Sequence, residues 1–145
     1  MWIIDVKTGF HGTVLRITVA VAFLLTPGMS WAGDLAWNPP PHPQAIVSFG
    51  AVSVDGRIYT YGGHLGKTHV HSSENLSARL NCLNVSAQGD WEMVSSDQPL
   101  QGAVLIARGQ ELICVGGMTA LNRIEEDEVL QSVADVRAFD RTGSG

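Results

Sequence analysis

From Phe49 to Gly63 the chain reads FGAVSVDGRIYTYGG, two β-prone runs on either side of Asp55-Gly56. A period of two sends alternate side chains to opposite faces of a strand. Asp-Gly suits the positive φ values of a two-residue turn, so this stretch predicts a β-hairpin closed by Gly62-Gly63. Residues 64–76 (HLGKTHVHSSENL) are polar, keep no hydrophobic period and predict an exposed loop. Strand-like sequence resumes from about Arg79 to Val85, turns through Ser86-Ala87-Gln88-Gly89-Asp90 and continues around Trp91–Ser95. Four short antiparallel strands make one unit.

The order of signals then begins again. Gly102-Ala103-Val104 parallels Gly50-Ala51-Val52, Gly109 parallels Gly56, and Gly116-Gly117 parallels Gly62-Gly63, at offsets of 52, 53 and 54. Val136, Phe139 and Asp140 parallel Leu80, Leu83 and Asn84 at an offset of 56. An offset that drifts upward is what insertions in turns and loops do to a structural repeat, and a period of about 50 residues belongs to propeller blades. Only Leu121–Val133 (LNRIEEDEVLQSV) sets a helical spacing against this pattern, and a short helical turn is expected inside that loop.

Ahead of the repeats, Trp37–Pro43 (WNPPPHP) can sustain neither a helix nor a central strand and is read as a connector. Trp37 lies 54 positions before Trp91, so residues 33–48 are taken as a Pro-rich segment carrying an outer closing strand without a sheet of its own.

Residues 1–32 read as an export signal. Lys7 and Arg16 precede an apolar run from Ile17 to Leu25, and Ser30-Trp31-Ala32 has the small-x-small form of a cleavage site, so cleavage is expected after Ala32. That run is too short to span a hydrocarbon core of about 30 Å, which predicts a secreted or periplasmic protein with no membrane segment after cleavage.

Composition narrows the function. With 45% hydrophobic residues, 16% charged residues and 16 glycines, the chain has the makings of a turn-rich globular domain. A net charge of -5 with nine scattered Lys and Arg provides no basic field for a phosphate backbone, so nucleic acid is not an expected partner. Cys82 and Cys114 each sit in an apolar strand pattern and read as small buried hydrophobes.

Few residues suggest chemistry. His64, His69 and His71 could in principle converge on zinc or copper, but a loop has no periodicity to aim the rings and no cysteine completes a set. Glu125-Glu126-Asp127-Glu128 lacks the alternating oxygen ligands and glycine of a calcium loop and reads as a solvated face. No nucleophile elbow, phosphate-cradling glycine loop or CxxC motif occurs, so no catalytic residue, metal or cofactor is expected.

The recurring elements resemble the kelch repeat. They are a hydrophobic run closed by Gly-Gly (IYTYGG, LICVGG), a polar loop, an apolar strand ending in Asn or Asp (Cys82-Leu83-Asn84, Ala138-Phe139-Asp140) and a tryptophan opening the last strand (Trp91). Gly62, Gly63, Trp91, Gly116 and Gly117 are then the structural marks of the repeat. The resemblance implies an all-β fold, a partial β-propeller of four-stranded antiparallel blades, with one blade at 49–100 and an incomplete one at 101–145. The next repeat tryptophan would fall near position 147, so a fragment, a truncated reading frame or a subunit that assembles with further blades or with itself is expected. It further implies a binding module whose loops after each Gly-Gly meet a protein or carbohydrate ligand, with His64, Lys67, His69, His71, Glu74 and Arg79 as polar contacts. An alternative is part of an exported sugar-acting enzyme similar to a sialic-acid epimerase or, with less support, to galactose oxidase; another is a non-functional gene remnant. For the oxidase, Tyr59 and Tyr61 are the only tyrosines, and strand packing explains them.

Overall fold

A computed structural model describes residues 37–67 and 69–142, so the stretch expected to be an export signal, with its expected cleavage after Ala32, lies outside the described residues. In chain order the first strands are β1 (Ile46–Val47), β2 (Gly50–Val54), β3 (Arg57–Tyr61) and β4 (His64–Leu65). A 3₁₀ turn at Ser73–Asn75 precedes β5 (Arg79–Asn84), β6 (Trp91–Ser96), β7 (Val104–Arg108) and β8 (Glu111–Val115). The last are β9 (Met118–Ala120), β10 (Leu130–Ser132) and β11 (Val136–Asp140). The protein is all-β: every strand pairing is antiparallel, no α-helix occurs among the described residues, and no sheet closes on itself. Among those residues no helix is long and apolar enough to cross a membrane.

Two sheets carry the structure. The first has strand order β2-β3-β5-β6 and the second β11-β8-β7. Both begin with a hairpin. Asp55 and Gly56 take φ of 49° and 69°, the two left-handed residues of a type I′ turn whose twist matches that of its strands. In the second hairpin only the first turn residue, Gly109, is left-handed, at φ 58°.

The pairings correct the repeat alignment. Gly50 pairs with Tyr61 and Val104 with Val115, so the hairpins superpose at a constant offset of 54. Gly109 therefore stands where Asp55 does, not Gly56. Gly102 is the counterpart of Ser48, with φ of 67° and 55°, and precedes the strand instead of opening it. The Gly-Ala-Val match at 52 was chemical, not structural. The third strand keeps the expected offset of 56: Ile58 pairs with Leu83, and Leu112 with Phe139.

Residues 121–133 contain no helical turn. They form a turn in which the Glu126 amide donates to the Arg123 carbonyl (3.3 Å), then β10, which pairs with β9. Backbone pairing available across the loop outweighs helix spacing carried by a few leucines and valines, since a single turn fixes several dihedrals for one bond. Residues 37–45 form no strand; Pro39, Pro40, Pro41 and Pro43 have no N–H to give a ladder. They lie instead against the first sheet, where Trp91 Nε1–H donates to the Pro40 carbonyl (3.2 Å) and the His42 ring meets Trp91 edge-on at 4.7 Å. His42 Nε2 is 3.0 Å from Thr60 Oγ1 on the same sheet.

The core lies between the sheets. Tyr59, Tyr61, Leu80 and Cys82 from the first pack with Leu105, Leu112 and Cys114 from the second. Gly50 makes the approach possible, because a Cβ there would sit 2.9 Å from the Ala103 carbonyl oxygen. Polar groups cross the seam as well. The Tyr61 hydroxyl donates to the Gln98 carbonyl (2.6 Å) while its ring lies 4.8 Å from Phe139; burial, helped by Asp97, raises its pKa to about 12. Arg141 bonds Asp55 (2.6 Å) and the Gly109 carbonyl (2.7 Å), joining both hairpin turns, with its guanidinium 6.0 Å from the Tyr59 ring centre. Cys82 and Cys114 are free, buried thiols whose pKa values burial pushes up.

Candidate binding cleft

Both Gly-Gly pairs launch their loops in the same way. Gly62 and Gly63 have φ of 69° and 111°, Gly116 and Gly117 of 65° and 111°. These left-handed angles suit glycine and turn the chain sharply out of the sheet. The Gly62 amide donates to Arg79 O (3.1 Å) and the Gly116 amide to Asp135 O (3.0 Å), so each loop leaves and re-enters its sheet at equivalent points. The first loop begins with β4, paired with β1 through Val47 and His64; in the second, Gln101 and Met118 exchange two backbone bonds of 2.9 Å at the counterpart positions.

Four contacts between residues about fifty positions apart join these loops. The Ser73 amide donates to Asn122 O (2.9 Å), and Asn122 Nδ2 donates to His71 O (2.8 Å). His71 Nδ1 meets Glu128 Oε2 at 2.8 Å, and the Ile124 amide donates to Glu74 Oε2 (3.2 Å). Asn122 is the buried hinge pin of the set, since its Oδ1 also accepts from the Val129 amide (3.0 Å). The Glu74 carboxyl is held below its usual range, first by its own backbone N–H and then by Ser73, Ser72 and Ile124 donors.

Beside the joined loops is an open cleft of about 420 Å³ lined by Ser48, His71, Gln101, Gly102, Gly117 and Met118. Its size falls within the range of small-ligand sites. The two glycines leave backbone uncovered, while Ser48, His71 and Gln101 supply polar side chains. The Glu128 carboxylate can only accept, so the proton of the His71 ring resides on Nδ1 and Nε2 is left for an incoming donor while the ring is neutral.

The six expected contact residues separate. His71 lines the cleft, and Glu74 secures the loop junction. His64 is only 4% exposed and spends its Nε2–H on the Val70 carbonyl (2.9 Å), its ring packed 5.0 Å from His71, so it supports the site from below. Lys67 and His69 are exposed on the loop away from the cleft lining, and Arg79 is exposed at the start of β5. Among the described residues, no three His, Cys, Asp or Glu side chains converge in a way that could hold a metal ion.

Gln101, Asn122 and Glu128 escaped sequence reasoning. Gln101 is the counterpart of Val47, so the repeat gave no polar signal there, and Glu128 was indistinguishable from its solvated acidic neighbours. The available signal was the loop pairing itself: the second Gly-Gly loop has to lie beside the first wherever consecutive sheets pack.

The fold and cleft thus define an all-β protein of internally repeated antiparallel sheets with a loop-built surface on one side. No protein-family model and no curated protein sequence matches the chain.

Proposed function

We propose that this protein is an exported kelch-type repeat module that binds a protein or carbohydrate ligand through the joined loops after Gly62-Gly63 and Gly116-Gly117. The carrying observation is the hydrogen-bonded junction of Ser73, His71 and Glu74 with Asn122, Glu128 and Ile124. Two loops bonded to each other on sheet ends make a surface that loses little entropy on binding. The cleft beside them offers hydroxyl, amide and imidazole groups, which suit a ligand rich in hydroxyls or backbone amides.

An oligosaccharide array and a panel of extracellular protein domains would be probed with the chain and with His71→Ala and Gln101→Ala. The expected result is a ligand whose affinity drops about tenfold or more in both variants, roughly 1.4 kcal/mol. Retention of full affinity by both would remove the cleft from the binding surface.

A sugar-acting enzyme is the second reading, favoured by one observation: the imidazole bordering the cleft is oriented by a carboxylate, the arrangement of a general base. Release of product from any array-positive sugar, abolished in His71→Gln, would move the assignment there.

A further inference from the structure

The walls of the cleft come from both repeat units. Ser48 precedes β2 and His71 lies in the first Gly-Gly loop, while Gln101, Gly102, Gly117 and Met118 belong to the second unit. Backbone bonds tie the walls together: the Gly102 amide donates to Ser48 O (2.7 Å), and Gln101 and Met118 donate to each other's carbonyls. An antiparallel pair that exchanges both bonds carries its two side chains on the same side, with Cβ atoms about 5 Å apart. The Gln101 amide and the Met118 thioether therefore stand side by side at the cleft.

Gln101 is only 6% exposed, yet among the described residues nothing hydrogen-bonds its side-chain amide. An amide so buried costs free energy while its donors and acceptor stay unpaired, and the cleft is where a partner can reach them. The Ser48 hydroxyl is also unpaired among the described residues, and Ser48 holds φ of 55°, a left-handed angle that serine seldom adopts. Strain of that kind concentrates at ligand sites. The cleft lining contains no Lys or Arg, and the Glu128 carboxylate sits behind the His71 ring on Nδ1. An anionic ligand would enter without a cationic partner and against that charge.

We propose that the cleft takes a neutral sugar bearing an acetamido group, which rests on the binding function above and narrows its ligand to one class. Gln101 Nε2–H donates to the acetamido carbonyl while Oε1 accepts from the acetamido N–H, a two-point match that a hydroxyl in the same place makes only in part. The acetyl methyl lies on the Met118 thioether, a soft apolar contact. Ring hydroxyls donate to His71 Nε2 and exchange bonds with Ser48 Oγ. At Gly102 an added Cβ would meet nothing within 4 Å, so the sugar ring can approach the bare backbone there. An acetylated lysine presents the same amide but has no hydroxyls for Ser48 and His71, which favours the sugar.

Ligand-observed NMR titration of the full chain tests this with the methyl glycosides of N-acetylglucosamine and N-acetylgalactosamine, each beside its parent hexose. N-acetylneuraminic acid and a peptide carrying acetyl-lysine complete the set. At least one acetamido sugar is expected to bind about tenfold or more tighter than its parent hexose and than the last two probes. Gln101→Leu, which keeps the bulk and removes the amide, should cut that preference to about twofold or less. Met118→Ala should lower it in part, and Met93→Ala, at an exposed methionine on β6, should leave it unchanged. Far-UV circular dichroism checks the fold; if Gln101→Leu unfolds, Gln101→Met takes its place. A preference that survives loss of the Gln101 amide overturns the proposal. So does binding of a parent hexose, the acidic sugar or acetyl-lysine as tight as that of the acetamido sugars, although loss of that binding in His71→Ala would keep the cleft as the ligand site. A protein domain bound through His71 and Gln101 with no sugar bound overturns the acetamido proposal alone, and the absence of any ligand overturns both it and the binding function.

Discussion

The two repeat units share a hairpin, a Gly-Gly exit and a third strand, yet their equivalent residues live in different surroundings. At Gly62 an added Cβ would overlap the Leu100 carbonyl oxygen, because the connector into the second sheet crosses there. At Gly116, with nearly the same φ, the nearest atom is Val133 O at 3.5 Å. The same contrast holds for the faces: one sheet has its apolar side covered by a neighbour, and the other presents the equivalent side to solvent. A repeat signature therefore specifies backbone conformation, whereas the energetic weight of each position depends on what packs on it.

Gly62→Ala and Gly116→Ala separate these two contributions most strongly. The first should cost about 3 kcal/mol or more from steric conflict plus a left-handed φ, the second about 1 kcal/mol from φ alone. Urea denaturation of both variants decides it, and equal losses would mean that the connector adds nothing at Gly62.

Leu105 and Ile106 are neighbours on one strand facing opposite ways. Leu105→Ala should cost about 3 kcal/mol through the cavity it leaves, and Ile106→Ala under about 1 kcal/mol at concentrations where the chain is monomeric. Similar costs would show that the exposed face is covered within a single chain.

Tyr61 gives the seam between the sheets a pH signature. Its folded pKa of about 12 exceeds the unfolded value of about 10, so the folded state holds the proton more tightly. The associated stability is complete below pH 10 and is lost as pH rises through 12, up to about 2.5 kcal/mol. Cys82 and Cys114, also raised by burial, act in the same direction. Denaturation midpoints between pH 8 and 12 should fall steeply for the wild type and less for Tyr61→Phe; matching slopes would exclude Tyr61 as the titrating group.

Arg141→Met removes the bonds to Asp55 and Gly109 while keeping much of the side chain's bulk, and a melting temperature lowered by less than in Leu105→Ala is expected, because the Asp55 partner is exposed. The smallest effect is expected at the loop junction. Glu128→Gln should change stability by less than about 0.5 kcal/mol because the pair is partly exposed, so any larger drop in ligand affinity would report on the cleft itself.

Much of the first sheet was legible in the sequence. Asp55-Gly56 marked the hairpin because only residues tolerant of positive φ fit a type I′ turn, and β5 and β6 begin where the pattern placed them, at Arg79 and Trp91. The second sheet was legible in content but not in register. Gly102 looked like Gly50 by its neighbours, yet it fills the left-handed position of Ser48, and single-letter similarity does not distinguish a strand residue from the bend preceding it. The cleft was least legible. His64 and His71 belong to one polar loop, but only packing buried the first and turned the second toward Glu128, 57 positions away.

By itself, the sequence determined the local conformations: alternating apolar positions made strands, Asp-Gly and Gly-Gly made turns, and proline kept residues 37–45 out of a ladder. Those choices depend on sterics and hydrogen-bond donors within a few residues. Only the tertiary structure decided which strand face is covered, which histidine is buried and which loop residues meet, because burial and long-range bonds depend on groups brought together across half the chain.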